Sequence, residues 1–465
     1  MSIRYLKIGQ WSIALTIVFA LFTAWASAAA TSLEDLVKEN GLKIDAKQIS
    51  VSGISSGGFM AHQFHVVHAP HIIGSGIIAA GPYHCAKGSV MDAITKCSTF
   101  TKLSCQQMLE LVMPKGSDLA SICEQAFLGP KNETESKEMA MASYREAIKQ
   151  NGENLKKKME NDRVYIFRGM QDSIVPDHVA DAVYHFYVDP DNAGLDEEQV
   201  RYNDRFPVRH AMVRDHRLES PPLGIVNKCN QPPSAPGAYD TYIDDCQKAV
   251  ATQLAECNCS EAQGNDGPAC APSDPAQQET CLDVFEVDLA GAILQHIYGK
   301  LNDRAVADGE LLEFSQKDVF GKFSKSPATA IQNASMEDAD RKNLGYIFIP
   351  ETCKGGAEAC KLHVAFHGCK QGGETAKLVP GDYSGNLFSQ FAGYNEWATT
   401  NQMVVLYPQV RIWNSGPTNP EGCWDWWGQN YTHENYHTKK GLQIKAVAQM
   451  INILVGEDLL EVPKE

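Results

Sequence analysis

The sequence predicts an α/β fold in which a mostly parallel β-sheet is covered by helices on both faces. Two observations lead to this prediction. Short apolar runs typical of buried strands recur along the chain, and segments with helical spacing of apolar residues lie between them. Strands that alternate with helices in this way pair in parallel, with helices packed on both sides of the sheet. The chain has no internal repeat and no Thr- or Ser-rich linker, which favours one large domain.

The predicted elements follow in chain order. The predicted strands are Ile49–Val51, Ile72–Ala80, Val164–Phe167, Leu344–Ile349, Leu362–Phe366 and Met403–Tyr407. The predicted helices are Phe59–Val67, Glu138–Glu160, Val179–Tyr187, Val287–Leu301 and Gln443–Val455. From Pro221 to Cys281 the composition shifts to Pro, Cys, Gln and Asp with little periodicity. We therefore expect a disulfide-rich surface insertion at about 221–283.

The N-terminus has the pattern of an export signal. Arg4 and Lys7 precede the uncharged apolar run Trp11–Trp25, and Ala26-Ser27-Ala28 offers small residues for cleavage. A retained membrane anchor is the alternative, but the run is shorter than the roughly 20 apolar residues that span a bilayer. The sequence therefore predicts a signal peptide at 1–28, a catalytic domain at 29–465, and a secreted protein, extracellular or periplasmic, with no stable membrane insertion after cleavage.

The cysteine content agrees with export. The chain has 14 cysteines, and cysteines in an oxidising compartment are usually paired. Their even number allows full pairing, but the sequence does not give the connectivity. The densest group, Cys257, Cys259, Cys270 and Cys281, lacks the paired CxxC spacing that a zinc site favours. Disulfides are therefore expected, with no metal and no organic cofactor.

The net charge of -16 restricts the partners. An acidic surface argues against electrostatic binding of nucleic acid or anionic lipid. Nucleic acid is therefore not an expected partner, and the sequence leaves the oligomeric state open.

A nucleophile motif follows the first predicted strand. Gly53-Ile54-Ser55-Ser56-Gly57 satisfies the G-x-S-x-G pattern between a strand and a helix. In α/β-hydrolase-type proteins this pattern places a serine on a cramped strand-to-helix turn that presents its hydroxyl at the edge of the sheet. The pattern alone is common, and a simple Gly-Ser loop is the alternative. Its strand–turn–helix context favours Ser55 as a catalytic nucleophile.

A nucleophilic serine needs a base and a carboxylate that orients the base, and in this fold class the acid and then the histidine follow the serine along the chain. Asp172 lies just beyond the strand Val164–Phe167 and is favoured over Asp177. His210 is the favoured base. The other candidate histidines are His216, His178 and His185, of which the last two are close to the acid's own helix.

The oxyanion hole needs two backbone donors. One is expected from the residue after the nucleophile, Ser56, and the second from a His-Gly loop that ordinarily precedes the nucleophile. Here His367-Gly368-Cys369 follows the strand Leu362–Phe366, far downstream of Ser55. The simplest explanation is a circular permutation that moves the first strands of the fold to the end of the chain.

These motifs resemble those of secreted poly(3-hydroxybutyrate) depolymerases with a circularly permuted α/β-hydrolase fold. The resemblance runs from about Val51 to the C-terminus. Its motifs are Ser52-Gly53-Ile54-Ser55-Ser56-Gly57-Gly58, Arg168-Gly169-Met170-Gln171-Asp172 with His210, Asp288-Leu289-Ala290-Gly291, His367-Gly368-Cys369-Lys370-Gln371, Leu406-Tyr407-Pro408-Gln409 and Asn419-Pro420-Glu421-Gly422-Cys423-Trp424-Asp425-Trp426-Trp427-Gly428. It implies Ser55 as nucleophile, Asp172 as orienting acid, His210 as base, and the N–H groups of Ser56 and Cys369 as the oxyanion hole.

The chain departs from this family in three places. Arg168-Gly169 stands where the family usually has His-Gly before the acid, and Gln429 replaces an expected aromatic residue. The insertion at 221–283 is also longer than expected. These departures concern the shape of the substrate cleft more than the three catalytic candidates.

Trp424, Trp426 and Trp427 form an aromatic cluster within four residues. At least one is expected in the core, but a short segment is unlikely to bury all three indoles. In the family this region looks like part of the substrate cleft, and a flat apolar ring suits the methyl and methylene groups of a polyester. We therefore predict substrate binding by these residues, with at least one exposed indole.

The sequence as a whole predicts a serine esterase that hydrolyses poly(3-hydroxybutyrate) or a related short-chain polyester. A second hypothesis keeps the same catalytic residues and changes the substrate to feruloyl-type or other soluble esters. A third is a non-catalytic exported binding protein on a hydrolase scaffold, which labelling of Ser55 by a fluorophosphonate would distinguish.

Overall fold

The computed structural model describes residues 31–99, 127–214, 227–228, 242–246, 288–316, 319, 344–372, 387–410, 419, 421–428 and 435–464. Eleven strands are formed by these residues: β1 (Ile44–Ile54), β2 (Gly74–Ile78), β3 (Arg163–Phe167), β4 (Val200–Asn203), β5 (Met212–Arg214), β6 (Asn227–Lys228), β7 (Ile243–Asp245), β8 (Gly309–Ser315), β9 (Leu344–Pro350), β10 (Cys360–Phe366) and β11 (Met403–Tyr407). Eight of them form one sheet in the order β4-β3-β2-β1-β10-β11-β9-β8, and β5, β7 and β6 form a small second sheet.

The order of the large sheet is the one that a circular permutation predicts. Strands β1 to β4 fill one half in chain order, and the late strands β8 to β11 fill the other half. The strand before the nucleophile motif, β1, pairs in parallel with β10, the strand before the His-Gly loop, so that Gly53 lies opposite Phe366. Only β9 pairs antiparallel, with β11 and β8, among the strands of this sheet. The predicted mostly parallel α/β fold is confirmed.

Helices cover both faces of the sheet. The helices of the described residues are α1 (Leu33–Asn40), α2 (Ser56–His68), α3 (Val90–Asp92), α4 (Glu133–Asn151), α5 (Leu155–Met159), α6 (Asp177–Val188), α7 (Leu289–Tyr298), α8 (Leu387–Phe391), α9 (Tyr394–Thr400) and α10 (Leu442–Val455). A π-helical turn, Ala93–Cys97, continues α3, and a 3-10 segment spans Glu351–Gly356.

Two hydrophobic cores separate these layers. Leu362, Val364 and Phe366 of β10 belong to one core with α2, α4, α6 and α10. The intervening Ala365 belongs to the other core, which α7, α8 and α9 cover. Because successive side chains of a strand point to opposite faces, this alternation buries both faces of β10.

Most predicted elements are present, and two differences have local causes. The predicted helix Glu138–Glu160 is divided into α4 and α5 because Gly152, at a φ of 89°, ends α4. The strands β4 and β8 were not predicted, since both lie at sheet edges where their side chains are only partly buried and show no continuous apolar run. In the part of the chain described here, no helix has both the length and the apolarity to cross a membrane.

Disulfides are formed, as predicted, and the structure supplies pairings that the sequence left open. Cys85–Cys97, Cys353–Cys360 and Cys369–Cys423 are bonded, and no free cysteine occurs among the described residues. The predicted signal peptide at 1–28 and most of the predicted insertion at 221–283 lie outside the described residues.

Four histidines of the core are uncharged. They are nearly or fully buried, and burial lowers the pKa of each, to about 3 for His62, His68 and His363 and to about 4 for His367. Both ring nitrogens of His363 are hydrogen-bonded to serine hydroxyls of β1, Nδ1 to Ser50 and Nε2 to Ser52. It therefore joins β10 to β1 by side chains as well as by the sheet's backbone hydrogen bonds.

Candidate active site

Ser55 occupies a strained turn between β1 and α2. Its φ of 56° and ψ of -124° are rarely adopted by a residue with a side chain, and such strain persists only where the surroundings enforce it. The turn is fixed by the Ser55 N–H, which donates to the Ile78 carbonyl at 2.9 Å, and by the Ser55 carbonyl, which accepts from the Phe59 N–H at 3.0 Å. Ser55 is partly exposed, unlike the buried residues on either side of it.

The glycines on either side of Ser55 are required by close backbone contacts. A Cβ on Gly53 would lie 2.2 Å from the Gly57 carbonyl oxygen, and a Cβ on Gly57 would lie 2.3 Å from the Phe366 carbonyl oxygen. Neither neighbour is a flexible side chain. The G-x-S-x-G pattern is therefore a steric requirement of the turn and of its contact with β10.

Asp172 lies at the same edge of the sheet. Its strand β3 pairs with β2, which pairs with β1, and these parallel strands end together. The Asp172 carboxylate is buried, and its Oδ1 accepts from the N–H groups of Ile174 at 2.8 Å and Val175 at 3.0 Å. Burial raises the pKa of the Asp172 carboxyl, but His210 and these two N–H groups lower it by more, so the pKa lies below its usual value.

His210 completes a buried pair with this carboxylate. Its Nδ1 is 2.8 Å from Asp172 Oδ2. An ionised carboxylate only accepts hydrogen bonds, so Nδ1 carries the proton and Nε2 is the nitrogen that can accept one. The preceding residue, Arg209, forms an ion pair with the buried Asp244 of β7 at 3.0 Å, which anchors the His210 segment to the small sheet.

The rival candidates are engaged elsewhere or lie outside the described residues. Asp177 is exposed at the start of α6, and its Oδ1 accepts from the N–H of His178. The imidazoles of His178 and His185 pair with aspartates on or just after the same helix, at 2.9 and 3.2 Å. His216 is not among the described residues. Of the candidates whose positions are described, only Asp172 and His210 are brought together.

The His-Gly loop lies beside the nucleophile. His367 accepts from the Val410 N–H through Nε2 at 3.0 Å, so its Nδ1 carries the proton and donates to the Gly368 carbonyl at 2.7 Å. The Gly368 N–H in turn donates to Gln371 Oε1 at 2.6 Å. A Cβ on Gly368 would be 3.4 Å from the Cβ of Ser55, so the Gly368 backbone, which leads to Cys369, lies against the nucleophile.

Tyr242 connects the two halves of the site, and no sequence pattern predicted this role. The ring centroids of Tyr242 and His210 are 6.1 Å apart in an edge-to-face arrangement. The Tyr242 carbonyl lies 3.5 Å from Gln371 Nε2, a long contact to the residue that holds Gly368. The base and the His-Gly loop are therefore neighbours, although they are distant in sequence.

Curated relatives of the chain have one description in common. A poly(3-hydroxybutyrate) depolymerase of Delftia acidovorans is 30% identical over 437 residues, which are 92% of this chain and 64% of that protein. A polyhydroxybutyrate depolymerase of Talaromyces funiculosus is 26% identical over 446 residues, which are 93% of this chain and 94% of that protein.

The chain is therefore similar to poly(3-hydroxybutyrate) depolymerases over nearly all of its length. No protein-family model matches it.

Solved structures share the fold of this chain. A PHB depolymerase of Penicillium funiculosum and a serine-to-alanine variant of a PHB depolymerase complexed with an R3HB trimer both superpose with a TM-score of 0.55. Each covers 89% of this chain and 98% of its own, at 24% identity. The chain spans 64% of the Delftia relative, which is less than two thirds of its length, and nearly the whole of each solved structure.

The tryptophan cluster does not form the exposed platform that we predicted. Trp424 is fully buried, and Trp426 and Trp427 are 6% and 7% exposed. Trp426 stacks on Phe59 of α2 with a centroid distance of 4.0 Å, and Trp427 packs edge-on against Trp426. The prediction of an exposed indole is therefore wrong, because α2 supplies an aromatic partner that covers the segment.

The buried cluster nevertheless adjoins the nucleophile. The Trp424 N–H donates to the Ser56 hydroxyl at 3.3 Å, and the Asp425 carbonyl accepts from Gln63 on α2. These bonds attach the segment to the start and the middle of the helix that follows Ser55. Its contribution in this structure is to fix α2, and the indole surfaces face the core.

Arg168, where the depolymerase family usually has histidine, has a supporting contact of its own. Its Nη2 donates to the Asp172 carbonyl at 3.1 Å and its Nε to the Val175 carbonyl at 3.0 Å. The guanidinium thereby closes the loop that presents the Asp172 carboxylate. Its role could not be seen in the sequence because its acceptors are backbone atoms.

Proposed function

We propose that this chain is a serine esterase that hydrolyses the ester bonds of poly(3-hydroxybutyrate), with Ser55 as nucleophile, His210 as base and Asp172 as the group that orients the base. One observation carries the proposal. A partly exposed serine on an enforced, glycine-flanked turn shares a sheet edge with a buried His–Asp pair at 2.8 Å.

The proton chemistry follows from the hydrogen bonds of His210. Asp172 holds the proton of the imidazole at Nδ1, which leaves Nε2 to accept the proton of Ser55 as its oxygen attacks the ester carbonyl. The imidazolium then gives this proton to the departing alcohol, and a hydroxyacyl-enzyme is formed. Water attacks the acyl group with the same histidine as base, and release of the hydroxyacid restores Ser55.

Two backbone N–H groups would stabilise the tetrahedral oxyanion. Ser56 follows the nucleophile at the first turn of α2, where N–H groups have no partner within the helix. Cys369 follows Gly368, which lies against Ser55. Removing one such donor costs about 3–4 kcal/mol in related chemistry, so the placement of this loop matters as much as the base.

The position of the Cys369 N–H is fixed from three directions. Cys369 is bonded to Cys423, the next N–H along, that of Lys370, donates to the Glu421 carbonyl at 2.7 Å, and Gln371 holds Gly368. His367 is neutral at working pH because burial lowers its pKa to about 4. The loop therefore keeps its hydrogen bonds without a charge that would compete for the oxyanion.

The polyester assignment is supported by the activity for which both relatives are named and by the R3HB trimer complexed with a structural neighbour. Soluble esters, including feruloyl-type esters, remain the second candidate because the same catalytic groups would serve both. The test is clearing of a poly(3-hydroxybutyrate) suspension by purified protein beside a Ser55→Ala variant. Clearing that is lost in the variant supports both the substrate and the nucleophile.

The two parts of this proposal can fail separately. Cleavage of p-nitrophenyl butyrate that depends on Ser55, without clearing of the polymer, would retain the catalytic residues and reject the polyester. Equal activity of the Ser55→Ala variant on both substrates would reject the catalytic assignment itself.

Secretion belongs to the same proposal. Three disulfides among the described residues fit an oxidising compartment, and the signal at 1–28 would direct the chain there. Determination of the N-terminal residue of protein recovered outside the cytoplasm tests this. Recovery of the full chain with Met1 in a reduced cytoplasmic fraction would contradict it.

A further inference from the structure

A second cluster of side chains with ligand chemistry lies outside the candidate active site. One ligand atom each from His84, Glu146 and His437 lies within 4.8 Å of the other two. His84 is in the loop after β2, Glu146 is on α4, and His437 precedes α10. We propose that these three residues bind one Zn²⁺ ion, which joins three segments that are distant in sequence.

The donor set matches zinc better than calcium or magnesium. Two imidazole nitrogens and one carboxylate oxygen are a recurring set of three protein ligands for Zn²⁺, with water as the fourth. Calcium and magnesium prefer oxygen ligands throughout. The cysteines of the described residues are all in disulfides, so none competes as a thiolate ligand there.

Two of the ligands are already held near each other. Glu146 Oε1 is 3.3 Å from His437 Nε2. The His437 ring is buried, and its Nδ1 has no hydrogen-bond partner among the described residues. A buried ring nitrogen without a partner is uncommon, and a Zn²⁺ ion bound at Nδ1 would satisfy it.

The His84 ring has to rotate before all three residues can coordinate one ion. Its ring stacks on His437 with a centroid distance of 3.8 Å and an interplanar angle of 21°. The lone pairs of two stacked rings do not point at one ion, so the His84 ring has to turn out of the stack when zinc binds. His84 is only partly buried, which leaves room for this rotation.

Glu146 supplies the one carboxylate of the cluster. Two lysines, Lys87 and Lys149, lie near enough to act electrostatically on His84. Lys149 lies 3.3 Å from Glu146 Oε2, but its side chain is 71% exposed and can turn to solvent.

The test compares zinc binding by the full chain with binding by variants, after treatment with EDTA and dialysis. We expect one Zn²⁺ per chain by equilibrium dialysis, and a rise in melting temperature of about 3 °C at saturating zinc. His84→Asn and Glu146→Gln should each weaken binding by about tenfold or more. His71→Asn, a partly buried loop histidine outside the cluster, serves as the matched control and should bind as the unaltered protein does.

Two results would overturn the site. One is the absence of zinc binding by the unaltered protein at 100-fold excess of metal. The other is binding of equal strength by both cluster variants and by His71→Asn. Cobalt substitution provides a second readout if one variant folds poorly, because a tetrahedral nitrogen–oxygen site gives visible ligand-field bands that Glu146→Gln should change and His71→Asn should leave intact.

Discussion

Replacement of Asp172 by asparagine tests the proposed catalytic arrangement without changing its shape. The amide oxygen can keep the place of Oδ1, where it accepts from the N–H groups of Ile174 and Val175. The amide nitrogen then faces His210 Nδ1 in place of a carboxylate oxygen that is now 2.8 Å away. Two donors cannot share one hydrogen bond, so His210 must place its proton on Nε2.

The expected loss is large because this tautomer cannot accept the proton of Ser55. In serine hydrolases the same exchange lowers kcat by about 10⁴-fold, which corresponds to about 5 kcal/mol of activation free energy. The structure gives no reason for a smaller effect, because Asp172 is the buried carboxylate on this imidazole and Arg168 binds only backbone carbonyls of the acid loop. Binding of substrate does not depend on the tautomer, so KM should change little.

The assay is initial-rate hydrolysis of p-nitrophenyl butyrate over a range of concentrations, beside an Asp177→Asn variant. Asp177 is the exposed rival acid, five positions along the chain, and bonds only to the N–H of His178 in the described contacts. We expect Asp177→Asn to keep kcat within about threefold of the unaltered value, as a surface change should. A large loss in Asp177→Asn with a small loss in Asp172→Asn would refute the assignment of the acid. Circular dichroism of both variants separates loss of chemistry from loss of fold.

The remaining predictions concern the turn, the loop and the pH dependence. Gly57→Ala should lower kcat at least 100-fold, because the new Cβ displaces the turn and with it the oxyanion donors. Activity close to that of the unaltered protein would show that the turn tolerates a Cβ at position 57. Removing the disulfide Cys369–Cys423, which closes a loop of 54 residues, should lower the free energy of unfolding by about 4 kcal/mol and should also lower kcat. Removing Cys353–Cys360, which closes a loop of 7 residues, should lower the free energy of unfolding by about 2 kcal/mol and leave kcat unchanged. Urea unfolding and esterase assays on the two double-alanine variants measure both effects. The four buried neutral histidines should lower the stability of the fold as pH falls from about 6.5 towards 3, because these side chains take up protons in the unfolded chain before they do so in the folded one. By pH 5 each histidine should lower the free energy of unfolding, measured in urea, by up to about 2 kcal/mol. Equal stability at pH 7 and pH 5 would contradict this prediction.

The elements that the sequence predicts well are those buried on both faces. Met403–Tyr407 was predicted with the bounds it has, because every residue of β11 is buried and the run is uniformly apolar. The edge strand Gly309–Ser315 has one buried residue and was missed. A pattern of apolar residues reports burial, so a strand at the edge of a sheet gives little signal.

The candidate catalytic residues were found by chain order, which does not depend on knowing the contacts. The groups that support them were not found. Gln371 holds Gly368 three residues away but also reaches Tyr242, 129 residues distant, and Arg168 binds two backbone carbonyls. Neither arrangement leaves a spacing that a sequence could show. The same limit applies to the tryptophan segment, in which Phe59 of α2 covers Trp426 and Phe366 of β10 packs against Trp424.

The Asp288-Leu289-Ala290-Gly291 motif shows how a family signature can be structural. Asp288 caps α7 through the Gly291 N–H, and its other oxygen accepts from the Trp397 indole at 2.7 Å. A Cβ on Gly291 would lie 2.4 Å from that indole. The acid and the glycine are therefore both required by one tryptophan on α9, and a shared motif of this kind predicts the fold and not the chemistry.

Because the chain order is permuted, the turn at Ser55 depends on contacts between the first strand of the chain and a late one. Ser50 of β1 bonds to His363 of β10, 313 residues later, and Gly57 packs against the carbonyl oxygen of Phe366. A chain that ends before β10 would retain Ser55 and the pairing of β1 with β2, but it would lack the backbone against which the turn is strained. Because strain of this kind persists only while the surrounding structure enforces it, Ser55 should become a reactive nucleophile only after the last third of the chain has folded onto the first.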